Sequence, residues 1–70
     1  MPLHNRVATL RSEHHLNQQQ LGTLVGVSRQ TISLIERGDY NPSITLALRI
    51  AAVFQQPVES IFFLTEEETT

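Results

Sequence analysis

The stretch GVSRQTISLIERG, residues 26–38, places a glycine, a hydroxyl, an arginine and a glutamine ahead of an apolar run. Ser28, Arg29 and Gln30 pack badly, yet Ile32 and Ile35 behind them have the spacing of a buried helical stripe. Ser28 has the chemistry of an N-cap, since its hydroxyl accepts from a free N–H of the first turn. Val27 and Ile32 are spaced as a hydrophobic staple, and Gly38 supplies the left-handed residue that ends a helix near Arg37. Two readings fit: an ordinary capped surface helix, or a helix whose polar front is built to touch a partner. The flanking sequence decides between them.

One helix earlier the same device occurs. Asn17 reads as an N-cap, Gln20 completes a capping box, and Leu16 and Leu21 form the staple. That helix is expected to turn Leu21, Leu24 and Val25 inward and to stop at Gly26. Only Gly26 and Val27 separate it from the cap Ser28, a connection short enough to force a steep crossing, as in a helix-turn-helix. Gly22, one turn before Gly26, gives the second helix room to come close. Upstream, residues 6–14 place Val7, Leu10 and His14 on one helical stripe. Downstream, DYNP makes a turn, and Ser43 caps a fourth helix with Leu46, Ala47, Ile50, Ala51 and Phe54 inside. Gln55 and Gln56 break that pattern, and Pro57 suits the start of a last short helix over residues 58–64. The expected fold is all-α: five short helices with tight turns, and room for a small β-pairing of the chain ends near Thr65 and the N-terminal MPLHN.

Seventy residues make one domain, read as residues 1–64 followed by an acidic, disordered tail over residues 65–70. With no Cys, neither a disulfide nor a Cys-based metal site is available. No secretion signal and no membrane-length apolar segment is evident, so the cytoplasm is the expected location. The net charge of −2 argues against a polyanion partner only superficially. Glu66, Glu67 and Glu68 are three of the seven acids; without them five cations face four acids, which leaves +1. All five cations are Arg, whose rigid fork of donors suits phosphate and guanine edges.

Residues 18–37 resemble the twenty-residue helix-turn-helix of the lambda-repressor-like, Cro-type DNA-binding domains. The apolar positions Leu21, Val25, Val27, Ile32 and Ile35, the small residue Gly22 and the turn residue Gly26 all match. So do the flanks: LR at 10–11, LNQ at 16–18, IERG at 35–38, and NPS ahead of LALRIA. The likeness covers residues 5–64. It departs at Gly22, where the family usually has Ala; at Asp39, where Lys or Asn is common; and at Gln55, Gln56 and Pro57, which replace Gly-Val-Ser. The Asp39 departure puts tight phosphate binding by its loop in doubt.

The resemblance implies a short transcriptional regulator that binds double-stranded DNA, and the residue chemistry fits. In a helix-turn-helix the front of the second helix meets base edges. Here that front is Ser28, Arg29, Gln30 and Thr31, then Ser33 and Leu34. Arg grips guanine O6 and N7, Gln grips adenine N6 and N7, and the Thr31 methyl or Leu34 suits a thymine methyl. Asn17 and Gln18 at the preceding helix N-terminus, with Tyr40 and Asn41 in the following turn, are the candidate phosphate contacts. Glu36 lies on the inward side of its helix, where an unpaired carboxylate is costly, so Arg11 is its expected partner in a buried ion pair. The resemblance implies the same pair.

His14 and His15 are adjacent and point about 100° apart, a poor chelating geometry. No nucleophile–base set and no phosphate loop appears, so neither enzyme activity nor a cofactor, metal or small-molecule effector is expected. The reading is a DNA-binding repressor acting as a homodimer on a two-fold operator. Its dimer contacts are expected at Phe63 and Leu64, because four apolar residues in a row (61–64) encircle a short helix and leave some exposed. The rival reading is a protein-interaction module on the same fold, such as an antitoxin or co-regulator. A recognition helix rich in acids or large apolar residues would favour that rival; Arg29, Gln30, Thr31 and Ser33 favour DNA.

Overall fold

The fold is that of a computed structural model and is described for residues 3–64. The order of elements is β1 (His4–Asn5), α1 (Val7–Glu13), α2 (Gln18–Val25), α3 (Arg29–Glu36), α4 (Ile44–Phe54), a 3-10 turn (Val58–Ser60) and β2 (Phe62–Phe63). Local chemistry sets the helix boundaries. Asn17 Oδ1 accepts from Gln20 N at 2.7 Å while Gln20 Oε1 accepts from Asn17 N at 2.8 Å, a complete capping box. Ser28 Oγ accepts from Thr31 N at 3.1 Å, and Ser43 Oγ accepts from Leu46 N at 3.1 Å. Gly26 ends α2 at φ 85°, and Gly38 follows α3 at φ 81°. A side chain is strained in that left-handed region.

One core joins all four helices and the C-terminal segment. Val7, Leu10, Leu21, Val25, Ile32, Ile35, Leu46, Ile50, Ala51, Phe54 and Ile61 are buried in it, and Leu16, Val27, Val53, Val58 and Phe62 pack around them. Leu24 departs from the sequence expectation: it is 59% exposed. At 100° per residue Leu21 and Val25 define the inward line of α2, and Leu24 falls to its flank. His14 is likewise exposed at the end of α1, where its ring lies tilted against Phe54 with centroids 5.1 Å apart.

The turn between α2 and α3 sits directly on Gly22. Gly26 N and Val27 N both donate to Gly22 O, at 2.8 and 2.9 Å. A Cβ on Gly22 would come within 2.5 Å of Val27 O, a backbone atom with little freedom to retreat. The small residue is therefore required by the close approach of this turn, and its low helix propensity is the accompanying cost.

The C-terminus corrects the expected fifth helix. After Gln55 closes α4, the chain makes the 3-10 turn and then extends, with Phe62 and Phe63 antiparallel to Asn5 and His4. The register is His4 opposite Phe63 and Asn5 opposite Phe62, and Arg6 N donates to Ile61 O at 2.9 Å. Period two suits this run better than period 3.6. Ile61, the last residue of the turn, is buried in the core; beyond it the extended chain packs Phe62 against the core and turns Phe63 outward, and the pairing satisfies the backbone from the chain's other end. The pairing involves Phe62 and Phe63; Thr65 and the acidic run after it lie outside the described residues.

Candidate nucleic-acid interface

The front of α3 is a polar surface fixed from behind. Ile32 is 0% and Ile35 1% exposed, so this side of the helix is locked into the core. Arg29, Gln30, Ser33 and Leu34 fall on the opposite arc. The side chains of Arg29 and Gln30 are exposed and, among the described residues, make no hydrogen bond or ion pair. Ser33 and Leu34 are half-buried beside them. Ser28 and Thr31 hold the helix start: besides the cap bond, their hydroxyls lie 3.1 Å apart. The outcome is two long side chains with free donors on a rigid first turn.

Behind this surface lies a polar cluster joining three helices. Arg11 Nε donates to Glu36 Oε2 at 2.7 Å, and Arg11 Nη2 donates to Glu36 Oε1 at 3.3 Å. A third donor, Arg11 Nη1, reaches Leu16 O at 2.9 Å. The Glu36 side chain is 8% exposed and that of Arg11 20%, so the pair is largely screened from water. The hydrogen bond to Glu36 raises the Arg11 pKa above its ordinary value; burial opposes this, and the Glu36 charge adds to it. Gln18 completes the cluster, donating Nε2 to Glu36 Oε1 at 3.0 Å. One of its two side-chain N–H groups is thus taken within the molecule. Among the described residues the backbone N–H groups of Gln18 and Gln19 stay open at the α2 N-terminus, beside the exposed Asn17.

After α3 the loop carries Tyr40, 46% exposed, and Asn41, also exposed. Arg37 faces Asp39 there, Nε to Oδ2 at 3.5 Å, with both side chains more than 60% exposed. Two residues absent from the sequence reading support the site. Asn5 Nδ2 donates to Ile35 O at 2.9 Å, tying β1 to the end of α3, while its Oδ1 accepts from Val7 N at 3.0 Å. Arg49 on α4 reaches Val25 O at 3.5 Å, next to Gly26 at the end of α2. Sequence spacing signals neither contact, because the partners lie 30 and 24 residues apart. Phe63 and Leu64 stand apart from α3 in sequence, at 37% and 49% exposure. Among the described residues no group of three or more His, Asp or Glu is placed to hold a metal, and no helix is long and apolar enough to cross a membrane.

Comparison with known proteins gives this arrangement a family. The helix-turn-helix model HTH_3 matches residues 7–61. YgzD, an uncharacterised HTH-type transcriptional regulator of Bacillus subtilis, is 48% identical over 63 residues, covering 90% of this chain and 96% of that protein. An HTH-type transcriptional regulator of Archaeoglobus fulgidus is 42% identical over 66 residues, covering 94% and 93% of the two chains. Among solved structures, the restriction-modification controller protein C.AhdI of Aeromonas hydrophila superposes with a TM-score of 0.73 at 29% identity, over 79% of this chain and 83% of that one. With the matched residues running from α1 through the end of the core, the chain belongs to the helix-turn-helix family of transcriptional regulators, DNA-binding proteins rather than enzymes.

Proposed function

We propose that the protein is a sequence-specific repressor that binds double-stranded DNA as a homodimer, placing α3 of each copy in the major groove of a two-fold operator. One observation carries the reading. Arg29 and Gln30, the two side chains best suited to guanine and adenine edges, stand free on a first turn that is rigidly held from behind. Ser28, Thr31, Ser33 and Leu34 fill the rest of the surface that meets bases. Asn17, Gln18, Tyr40 and Asn41 flank it as backbone contacts, with Gln18 giving phosphate the N–H that Glu36 leaves free. One domain reads only a few base pairs, so two copies about 34 Å apart, one DNA turn, supply the specificity. Repression follows from occupying the site, and a cytoplasmic location puts the protein with its DNA.

Selection of bound sites from random duplex DNA at fixed salt tests this. The selected sites are expected to be two-fold symmetric. Arg29→Ala and Gln30→Ala are each expected to cost about 1–3 kcal/mol per half-site and to relax preference at one or two base pairs. Normally folded variants that keep wild-type sequence preference would remove α3 as the reading element. Selected sites without two-fold symmetry would remove the dimer.

A further inference from the structure

The two-residue strands β1 and β2 form a sheet smaller than sheets normally need to be stable, and among the described residues β2 has no neighbour on its outer edge. The hydrogen-bond phase shows which groups that edge presents. Arg6 N donates to Ile61 O, so the Arg6–Ile61 pair faces inward across the ladder. Antiparallel ladders alternate, so His4–Phe63 is the next inward pair. The N–H and C=O of Phe62 and the N–H of Leu64 therefore turn outward. Side chains alternate as well. Phe62 packs on the core, whereas Phe63 lies on the opposite face, its ring stacked on His4 with centroids 6.1 Å apart.

We propose that β2 pairs antiparallel with β2 of a second copy, on a two-fold axis through Phe63, making a continuous four-stranded sheet. The register follows from the phase. Phe62 and Leu64 are the outward residues, so Phe62 of one copy exchanges both backbone hydrogen bonds with Leu64 of the other, and the reverse. Phe63 then meets Phe63 of the second copy as a non-hydrogen-bonded pair, where opposite side chains approach most closely. Two exposed aromatic rings become a cross-strand pair, flanked on the same face by the two His4 rings. Leu64, 49% exposed in the single chain, is covered on the other face. A second copy is the favoured occupant because this edge is self-complementary: outward groups on either side of an exposed aromatic are what a two-fold axis requires. This inference rests on the homodimer reading and assigns it an interface.

The chain has no Cys, so an introduced one reports unambiguously. Opposite Cα atoms of a non-hydrogen-bonded pair are about 4.5 Å apart, within disulfide range. Oxidised Phe63→Cys is expected to run as a covalent dimer, and Ile44→Cys and Leu48→Cys, on exposed α4 positions, are not. As a second variant, Leu64→Pro removes one outward N–H from each copy and leaves the β1 pairing intact. It is expected to weaken dimerisation about ten- to a hundredfold in sedimentation, with helix content unchanged. If the wild type dimerises while Phe63→Cys fails to cross-link, or if Leu64→Pro dimerises as the wild type does, this interface is wrong and the homodimer forms through another face. If the wild type is monomeric at micromolar concentration and on DNA, the homodimer reading itself falls.

Discussion

Arg11 and Glu36 show how much of this molecule depends on single side chains. Glu36 is almost wholly buried and accepts from both Arg11 and Gln18; Arg11 keeps a fifth of its side chain in water and also caps Leu16 O. The two partners are therefore unequal. Arg11→Met leaves a buried carboxylate with only an amide donor and is expected to cost about 3 kcal/mol, the low end for breaking a buried pair. Glu36→Gln removes the charge, keeps an acceptor for Arg11, and leaves an arginine that reaches solvent; about 1 kcal/mol is expected. Denaturant unfolding of the two variants checks the order. Equal losses, or a larger loss for Glu36→Gln, would show that burial of the carboxylate is not what makes the pair matter. The contact also positions Gln18, so a residue remote from the α3 surface sets one edge of the proposed DNA site.

At the scale of the element, legibility followed sequence distance. The caps at Asn17, Ser28 and Ser43 act within three residues of their targets, and each was readable because the chemistry is local. The inward stripe of α4 was readable for the same reason. Residues 61–64 were not, because four apolar residues in a row satisfy a helix and a strand alike. Their fate depends on His4 and Asn5, nearly sixty positions away, and so does the tie from Asn5 to Ile35 O. The α3 surface lies between these cases: its exposure was legible, but Gln18 turning to Glu36 was not. The end of α4 carries a further consequence. Gln55 closes that helix at φ 55° and ψ 45°, a left-handed conformation that costs a side-chain-bearing residue about 1–2 kcal/mol. Gln55→Gly is expected to stabilise the protein by about 0.5–1 kcal/mol, part of the relief being offset by the greater freedom of the unfolded chain. Ala52→Gly, three residues earlier, is expected to lose about 1 kcal/mol. Thermal unfolding that moves both variants the same way would show the cap conformation carries no strain.

For the whole molecule the decisive quantity is how few cations reach DNA. Of five arginines, Arg11 is held by Glu36, Arg49 leans on the end of α2, and Arg37 is paired with Asp39. Among the described residues Arg6, Arg29 and Arg49 have no ion-pair partner, Arg49 being turned to the Val25 carbonyl, and Arg29 is assigned to bases. On the proposed homodimer reading each copy is therefore expected to bind the DNA backbone weakly, its DNA affinity should vary gently with salt, and two copies should matter more than for a basic domain. Asp39 sits in the loop beside Tyr40 and Asn41, where a carboxylate both repels phosphate and occupies Arg37. Because this ion pair is well exposed, removing it should hardly change folding stability. Asp39→Asn is thus expected to leave unfolding unaltered while raising affinity for operator and random duplex alike. The slope of log affinity against log salt should steepen by about one per copy as Arg37 becomes a phosphate contact. Binding titrations across a salt series check both. If affinity falls, or rises with an unchanged slope, Arg37 does not reach the backbone and the loop after α3 lies away from DNA.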